Sequence, residues 1–197
     1  MRRISIKHID EGITYDGSQI RPLWGFEKTH IQGDSIITFI GPMCVKITEM
    51  LDQKDIINES DKTDTPISSD QSLHFIVEQF DTHSAKVAFL RQRLLTYIAF
   101  ETIKNQIDDS SNLKRDFSDI YFKDKKLSVS IASVSPTCMK IHLGLNIVSS
   151  GAPSYVKTIG LEDLGISDYK KLAEDITSKY KDEVIRIEED ITKIKHL

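Results

Sequence analysis

The sequence predicts an α+β fold, in which strands and helices form separate runs along one chain. Three observations predict it. The first third of the 197-residue chain alternates polar and apolar residues, as half-buried strands do. A helical pattern begins near Ser84, and a second helical pattern closes the chain. Two further alternating strands lie between these helices. Since one core is usual at this length, we expect residues 1–197 to form a single domain.

In the first half of the chain, alternation predicts a strand at residues 2–9 and a pair of strands at 35–40 and 44–47. Residues 53–71 are polar and offer almost nothing to bury, which predicts an exposed loop. A mostly apolar strand is predicted directly after this loop, from residue 73 to about 80.

The two predicted helices differ in their sequence pattern. The first begins after Thr82 or Ser84, either of which is a suitable N-cap. The second covers about 167–195 and is amphipathic, because its apolar residues recur every three or four positions. These residues are Leu172, Ile176, Tyr180, Val184, Ile187, Ile191 and Ile194.

Composition restricts the partners and the compartment. The formal net charge is −4, so the chain lacks the positive field that nucleic-acid binding usually needs. No apolar stretch is long enough to span a membrane or to act as a signal peptide. Cys44 and Cys138 are too few for a disulfide framework and have no metal-ligand spacing. We therefore expect a cytoplasmic protein without a metal site. The sequence identifies no cofactor, and it is compatible with a homo-oligomer.

A predicted hairpin near residues 126–147 has one polar face. Its second strand alternates apolar residues with Lys140, His142, Gly144 and Asn146, and its first strand carries Ser128 and Ser130 between apolar residues. If the polar residues of both strands lie on the same side of the hairpin, they form a floor of hydrogen-bonding groups with Lys126 at its rim. A small-molecule ligand is the partner that such a floor suits.

This polar face has a simpler interpretation, as the solvent side of an ordinary hairpin. Solvent faces usually carry long charged side chains, whereas the serines, Gly144 and Asn146 are small, as expected where a ligand must fit. For His142 by itself, the pattern favours a structural histidine with satisfied hydrogen bonds over a catalytic one. Cys138 has no evident partner base, which favours an unreactive thiol.

Four stretches of the sequence together resemble an archaeal family catalogued as domain of unknown function 366. They are residues 15–24, 125–136, 140–146 and 159–166. The fold of this family is similar to the catalytic domain of biotin protein ligases and lipoate-protein ligases, which is related to class II aminoacyl-tRNA synthetases. The resemblance therefore implies a mixed, largely antiparallel sheet packed by helices.

The hairpin also resembles that of octanoyl and lipoyl transferases, in which a lysine that opens one strand meets the acyl carbonyl. Lys126 and Asn146 match that layout, although the spacing from His142 to Asn146 is one residue short. Residues 153–158, where those transferases hold a nucleophilic cysteine, contain none. This difference argues against covalent thioester catalysis.

Two hypotheses for function follow. The first is an enzyme of the acyl-transfer or adenylate-forming ligase kind that acts on a small carboxylate. Its catalytic residues are Lys126 and His142. Lys126 polarises the carboxyl group, and His142 orients this group or exchanges a proton with it. The second is a non-catalytic binding or sensing module on the same fold. In both, substrate-binding residues come from the hairpin and the family-like N-terminal stretch: Tyr15, Asp16, Arg21, Trp24, Ser128, Ser130, Lys140, Gly144 and Asn146.

Arg21 and Trp24 are assigned to a cover over the polar face of the hairpin. A guanidinium can clamp a carboxylate through two hydrogen bonds, and an indole supplies a flat apolar wall. The alternative is that Trp24 belongs to the core and that Arg21 forms an ion pair with Asp16.

Overall fold

The computed structural model describes residues 3–51, 57 and 66–195. The strands are β1 (Ser5–Ile9), β2 (Ser35–Val45), β3 (Ile67–Gln79), β4 (Leu113–Asp116), β5 (Asp119–Phe122), β6 (Lys125–Lys126), β7 (Ser128–Val134) and β8 (Met139–Asn146). The helices are α1 (Trp24–Thr29), α2 (Ala85–Lys104) and α3 (Tyr169–Ile191). Short 3-10 turns lie at Ser18–Ile20, Ile47–Glu49, Ser110–Asn112 and Glu162–Leu164.

The main sheet has five strands in the order β1-β2-β3-β8-β7. β1 runs parallel to β2, and the remaining neighbours are antiparallel. A small antiparallel sheet is formed by β4, β5 and β6. This architecture confirms the predicted α+β class with a mixed, largely antiparallel sheet packed by helices.

Strand alternation gives the main sheet two different faces. The helical face carries Leu73, Phe75 and Leu143 and packs against α2 and α3 in the larger of two cores. The opposite face carries His74 and His142, and we call it the histidine face. Its smaller core contains Tyr15, Trp24, Ile37, Phe39 and Ile76. Both faces of the central strands are therefore buried.

β2 is a single long strand, so the prediction of two paired strands at 35–40 and 44–47 is wrong. The strand continues through Gly41 and Pro42 with a register irregularity between Gly41 and Met43. Tyr15 runs alongside at this irregularity: its N–H donates to Pro42 O, and its carbonyl accepts from Cys44 N, both at 2.9 Å. A side chain at Gly41 would collide with the carbonyl of Ile13, so the glycine lets this segment approach closely.

Part of the predicted exposed loop at 53–71 is a strand. β3 begins at Ile67, and Ile67, Ser68 and Ser69 pair with the end of β2. The polar residues enter the strand because their hydroxyls find partners: Ser68 Oγ donates to Gly151 O at 2.6 Å. Residues 53–56 and 58–65 of the predicted loop lie outside the described residues.

The last helix, α3, lies within the predicted range 167–195. The side chain of Asp168 accepts a hydrogen bond from Lys171 N at 2.9 Å, which caps the start of the helix. Tyr180 and Val184 point into the larger core. Across the described ranges, every helix is too short or too polar to cross a membrane.

Candidate functional site

A cleft of about 740 Å³ lies beside the edge strand β7, between the histidine face, helix α2 and the small sheet. Apolar side chains of β2, β3 and β7 form much of its wall, among them Met43, Val45, Ile67 and Val129. Polar and aromatic side chains also reach it. They include Tyr15, Glu49, Arg93, Asp116, Asp119, Tyr121, Lys126, Ser130, His142 and Asn146.

Four buried rings form a stack on the histidine face, and two of them, Tyr15 and His142, line the cleft. The centroids of the Tyr15 and His142 rings are 3.5 Å apart, and the two planes differ by 13°. His74 stacks on Phe39 at 4.8 Å and lies 5.3 Å from His142. The stack unites β2, β3 and β8 with the N-terminal stretch that holds Tyr15.

Hydrogen bonds fix the tautomers of the two histidines. His74 Nε2 lies 3.1 Å from Gly41 O, and a carbonyl oxygen can only accept, so this nitrogen carries a proton. In the neutral ring His74 Nδ1 is then an acceptor. It lies 3.0 Å from His142 Nε2, which must therefore be the donor. His142 Nδ1 is left with a lone pair, and no hydrogen bond joins it to a residue in the described ranges.

Burial keeps both imidazoles uncharged. It lowers the pKa of His74 from 6.5 to about 4, against a weaker opposing effect of the hydrogen bond to Gly41. Burial, together with repulsion from His74, lowers the pKa of His142 well below 6.5. Burial also raises the pKa of the Tyr15 phenol. His142 is therefore suited to orient a hydrogen-bond partner rather than to take up a proton near neutral pH.

A lysine and a carboxylate meet in the lining of the cleft. Lys126 Nζ lies 3.0 Å from Asp119 Oδ2, and their side chains are 29% and 28% exposed. The Tyr121 hydroxyl donates to the same carboxylate oxygen at 3.4 Å. Lys126 is on β6 and Asp119 on β5, so the small sheet holds this pair at the rim of the cleft.

Asn146 connects the cleft wall to the chain that follows β8. Its side-chain amide nitrogen donates to Lys126 O at 3.3 Å and to Ile159 O at 3.4 Å. Its side-chain oxygen accepts from Ser72 Oγ at 3.4 Å. Asn146 thus holds the backbone of Lys126 against β8.

The register of the hairpin differs from the predicted one. Ser128 lies opposite Leu145 and Ser130 opposite Leu143, so both serines are on the helical face, not beside His142. Ser128 is fully buried and accepts from Ile120 N at 2.8 Å, away from the cleft. Ser130 still reaches the cleft from the helical side, where Gln92 donates to its hydroxyl at 3.0 Å.

The turn explains this register. Four residues, 135–138, connect Val134 to its partner Met139. Ser135 Oγ accepts from Cys138 N at 3.1 Å, which closes the turn. With this turn length, even-numbered residues of β7 pair with odd-numbered residues of β8. The polar residues of both strands have even numbers, so those of β7 and those of β8 lie on opposite faces of the sheet.

Lys140, predicted to bind substrate, is a core residue. Its side chain is 1% exposed, and Nζ lies 3.4 Å from Glu78 Oε2. The Glu78 carboxylate also accepts from Leu23 N at 2.6 Å and from Gly25 N at 3.2 Å. The buried pair therefore holds the start of α1, a helix that the sequence does not predict, and Lys140 is not among the described residues that line the cleft.

Gly144, also predicted to bind substrate, lies beneath the His142 ring. A Cβ there would lie 3.2 Å from a Val129 methyl carbon and 3.3 Å from His142 Cε1. The glycine therefore makes room for the imidazole, and Gly144 is not among the described residues that line the cleft.

Gly144→Ala is expected to destabilise the fold by about 1–3 kcal/mol, the usual cost of overpacking a core. Urea unfolding at pH 7 measures this change. Gly12→Ala is the matched control, because an added Cβ there meets nothing within 4 Å. Equal stability of the two variants would show that the His142 ring does not need Gly144.

The predicted cover is absent from the described walls of the cleft. Arg21 is exposed, and its Nε donates to Ser18 O at 3.2 Å. Asp16 is exposed and accepts from Ser18 N at 2.9 Å; within the described ranges no ion pair joins it to Arg21. Trp24 packs in the smaller core, 6.2 Å from the Phe39 ring. Of the residues predicted in the N-terminal stretch, only Tyr15 reaches the cleft.

Several polar residues of the cleft and of the histidine face were not predicted. His74 and Glu78 alternate with apolar residues on β3, and the same period of two that identified His142 marks them. Asp119 and Tyr121 alternate on β5 in the same way. Arg93 reaches the cleft from α2. Among the described residues, no group of three or more His, Cys, Asp or Glu side chains is placed to hold a metal ion.

Comparison with known proteins gives one family and one fold. The model of the family described as Domain of unknown function (DUF366) matches residues 4–195. Uncharacterized protein MJ0805 of Methanocaldococcus jannaschii is 46% identical over 190 residues, which cover 96% of this chain and 84% of that protein. The structure of a protein of unknown function from Pyrococcus horikoshi has a TM-score of 0.89 at 34% identity and covers 99% of this chain and 100% of that one.

Biotin protein ligases have a similar fold. The enzyme from Aquifex aeolicus, in complex with biotin and ATP, superposes with a TM-score of 0.60 at 12% identity. The match covers 94% of this chain and 72% of the ligase chain. At this identity the similarity extends to the fold alone.

Proposed function

Because this chain belongs to the DUF366 family and has the fold of biotin protein ligases, we propose that its cleft binds a small carboxylic acid. Lys126 polarises the carboxyl group of this acid in an acyl-transfer or adenylate-forming reaction. His142 orients the bound molecule through the lone pair on Nδ1.

The position of Lys126 carries this proposal. An ammonium group has three donors, and the hydrogen bond to Asp119 Oδ2 at 3.0 Å uses one of them. The remaining donors are available to a carboxyl oxygen in the cleft. Partial burial strengthens such a contact, because solvent screens the charge less than at an open surface. A fixed positive charge is what a carboxyl group needs where negative charge develops during attack.

The apolar wall supports a ligand that also has a hydrocarbon or ring portion. Met43, Val45, Ile67 and Val129 line the cleft together. Small-molecule sites usually combine such walls with a few polar groups that fix orientation. A carboxylic acid with an apolar body satisfies both parts of the cleft.

A non-catalytic binding module is the second candidate, and two observations favour it. Both histidines stay uncharged near neutral pH, so neither is a strong base. Within the described ranges the cleft has two cationic side chains, Arg93 and Lys126, and three carboxylates. This charge balance is poor for the phosphates of a nucleotide.

Two measurements separate the candidates. Native mass spectrometry of the freshly purified protein shows whether a small molecule copurifies. Exchange of labelled pyrophosphate into ATP in the presence of biotin, lipoic acid or octanoic acid tests adenylate formation, and transfer of an octanoyl group from a thioester donor tests acyl transfer. Binding of an acid without either reaction supports the binding module.

Lys126→Met is expected to weaken octanoic acid binding about 10- to 150-fold, corresponding to roughly 1.5–3 kcal/mol for a hydrogen bond to a charged group. Isothermal titration calorimetry at pH 7 measures the affinity, and the melting temperature should change little. Lys157→Met is the matched control, since Lys157 forms a similar pair with Asp124 at 2.8 Å on the exposed surface. Unchanged affinity in Lys126→Met would remove Lys126 from the site.

A further inference from the structure

We infer that the ligand of the cleft carries an ammonium group beside its carboxylate, as an α-amino acid does. Lys126 binds the carboxylate, and Asp119 binds the ammonium group. This inference rests on the proposed function and names the substrate class of the same site.

The geometry of the Lys126–Asp119 pair supports a ligand with both charges. The two charged atoms are 3.0 Å apart, and both side chains are more than a quarter exposed to the cleft or to solvent. Asp119 Oδ2 accepts from Lys126 and from Tyr121, whereas Asp119 Oδ1 has no hydrogen bond to a residue in the described ranges. The pair therefore offers free donors and a free acceptor side by side.

The net charge of the cleft also favours a zwitterion over a simple carboxylate. Glu49, Asp116 and Asp119 contribute three negative charges among the described lining residues, against Arg93 and Lys126. A ligand with a carboxylate alone adds another negative charge close to Asp119. A zwitterion adds none, and its ammonium group offsets the surplus.

The spacing of the two charges in an α-amino acid matches that of the Lys126–Asp119 pair. In an α-amino acid a single carbon atom joins the carboxylate to the ammonium group, so the two charges are adjacent, as they are in the Lys126–Asp119 pair. Each group of the ligand can then face its opposite. The apolar wall formed by Met43, Val45 and Ile67 is left for the side chain of the amino acid.

A matched set of probes tests the inference. Octanoic acid, 2-aminooctanoic acid and octylamine share one chain and differ only in the charged groups. Titration calorimetry at pH 7 should show 2-aminooctanoic acid binding at least tenfold tighter than either of the others. Asp119→Asn should reduce its affinity to that of octanoic acid, and Asp124→Asn, in the exposed pair with Lys157, should leave the preference intact.

Each outcome decides between the claims. Equal or tighter binding of octanoic acid overturns the inference and leaves the proposed function standing. An unchanged preference in Asp119→Asn also overturns the inference. Binding of octylamine alone, or of none of the probes, contradicts both claims. The comparison of probes on the unmodified protein is decisive even if Asp119→Asn folds poorly.

Discussion

Lowering the pH from 7 to 4.5 is expected to destabilise the protein by several kcal/mol through His74 and His142. In the unfolded chain a histidine takes up a proton near pH 6.5. In the folded chain burial lowers the pKa of His74 to about 4 and that of His142 further. Below pH 6.5 the unfolded state therefore binds more protons, so the free energy of unfolding falls as the pH falls.

The size of this loss of stability follows from the difference between the folded and unfolded pKa of each histidine. At about 1.4 kcal/mol per pKa unit, His74 alone contributes roughly 3 kcal/mol that is present above pH 6.5 and lost on approach to pH 4. Protonation would also remove the acceptor at His74 Nδ1, on which the hydrogen bond from His142 depends. Loss of stability and loss of the hydrogen bond between His74 and His142 should therefore coincide.

Urea unfolding between pH 7 and 4.5 measures this effect. His74→Gln combined with His142→Gln should flatten the pH dependence, because glutamine does not titrate. The matched control is His83→Gln, since His83 is exposed and should leave the slope unchanged. An equally steep loss of stability in the double variant would assign the acid sensitivity to carboxylates elsewhere.

Removal of either charge from the buried Glu78–Lys140 pair is expected to cost about 3–5 kcal/mol, because the other charge is left without its partner in the core. Glu78→Gln should be the costlier change. It leaves the Lys140 ammonium without a counter-ion, and Lys140 Nζ has no hydrogen bond among the described residues. After Lys140→Met, the Glu78 carboxylate keeps its bonds from Leu23 N and Gly25 N.

The double variant Glu78→Gln/Lys140→Met should be much less destabilised than the sum of its single changes. Urea unfolding of all four proteins at pH 7 gives the coupling between the two residues. The exposed pair formed by Lys157 and Asp124 is the control and should show little coupling. Additive costs for Glu78 and Lys140 would mean that the two charges do not stabilise each other.

The sequence predicts which residues share a face of one strand. It does not predict which residues of the neighbouring strands lie beside them on the same face of the sheet. Lys140, His142 and Asn146 do lie on one side of β8, as their alternation indicates. Their neighbours were assigned to β7, whereas the polar residues beside them are Glu78, His74 and Ser72 of β3. That assignment depends on the length of the turn at 135–138 and on a strand far away in the chain, and neither is visible in the alternation of β8.

Buried polar groups and small residues were the other source of error. β3 is mostly apolar and buried on both faces, so the period of two at His74 and Glu78 does not show that these polar side chains are themselves buried. On α2 the large apolar side chain of Leu90 is 59% exposed, while the small residues Ala88 and Ala99 are fully buried. Which of these side chains are buried depends on how well the packed elements fit in size, and the spacing of apolar residues along the sequence does not show that fit.

The two cores on opposite faces of the sheet have a consequence for spectroscopy. Trp24, the single tryptophan of the chain, packs on the histidine face, whereas the two long helices cover the other face. Intrinsic fluorescence and far-ultraviolet circular dichroism therefore report on different sides of one sheet. In mild acid, a change in fluorescence that precedes the loss of the helical signal would identify a partly opened form, in which the histidine face has loosened while the helices behind the sheet persist.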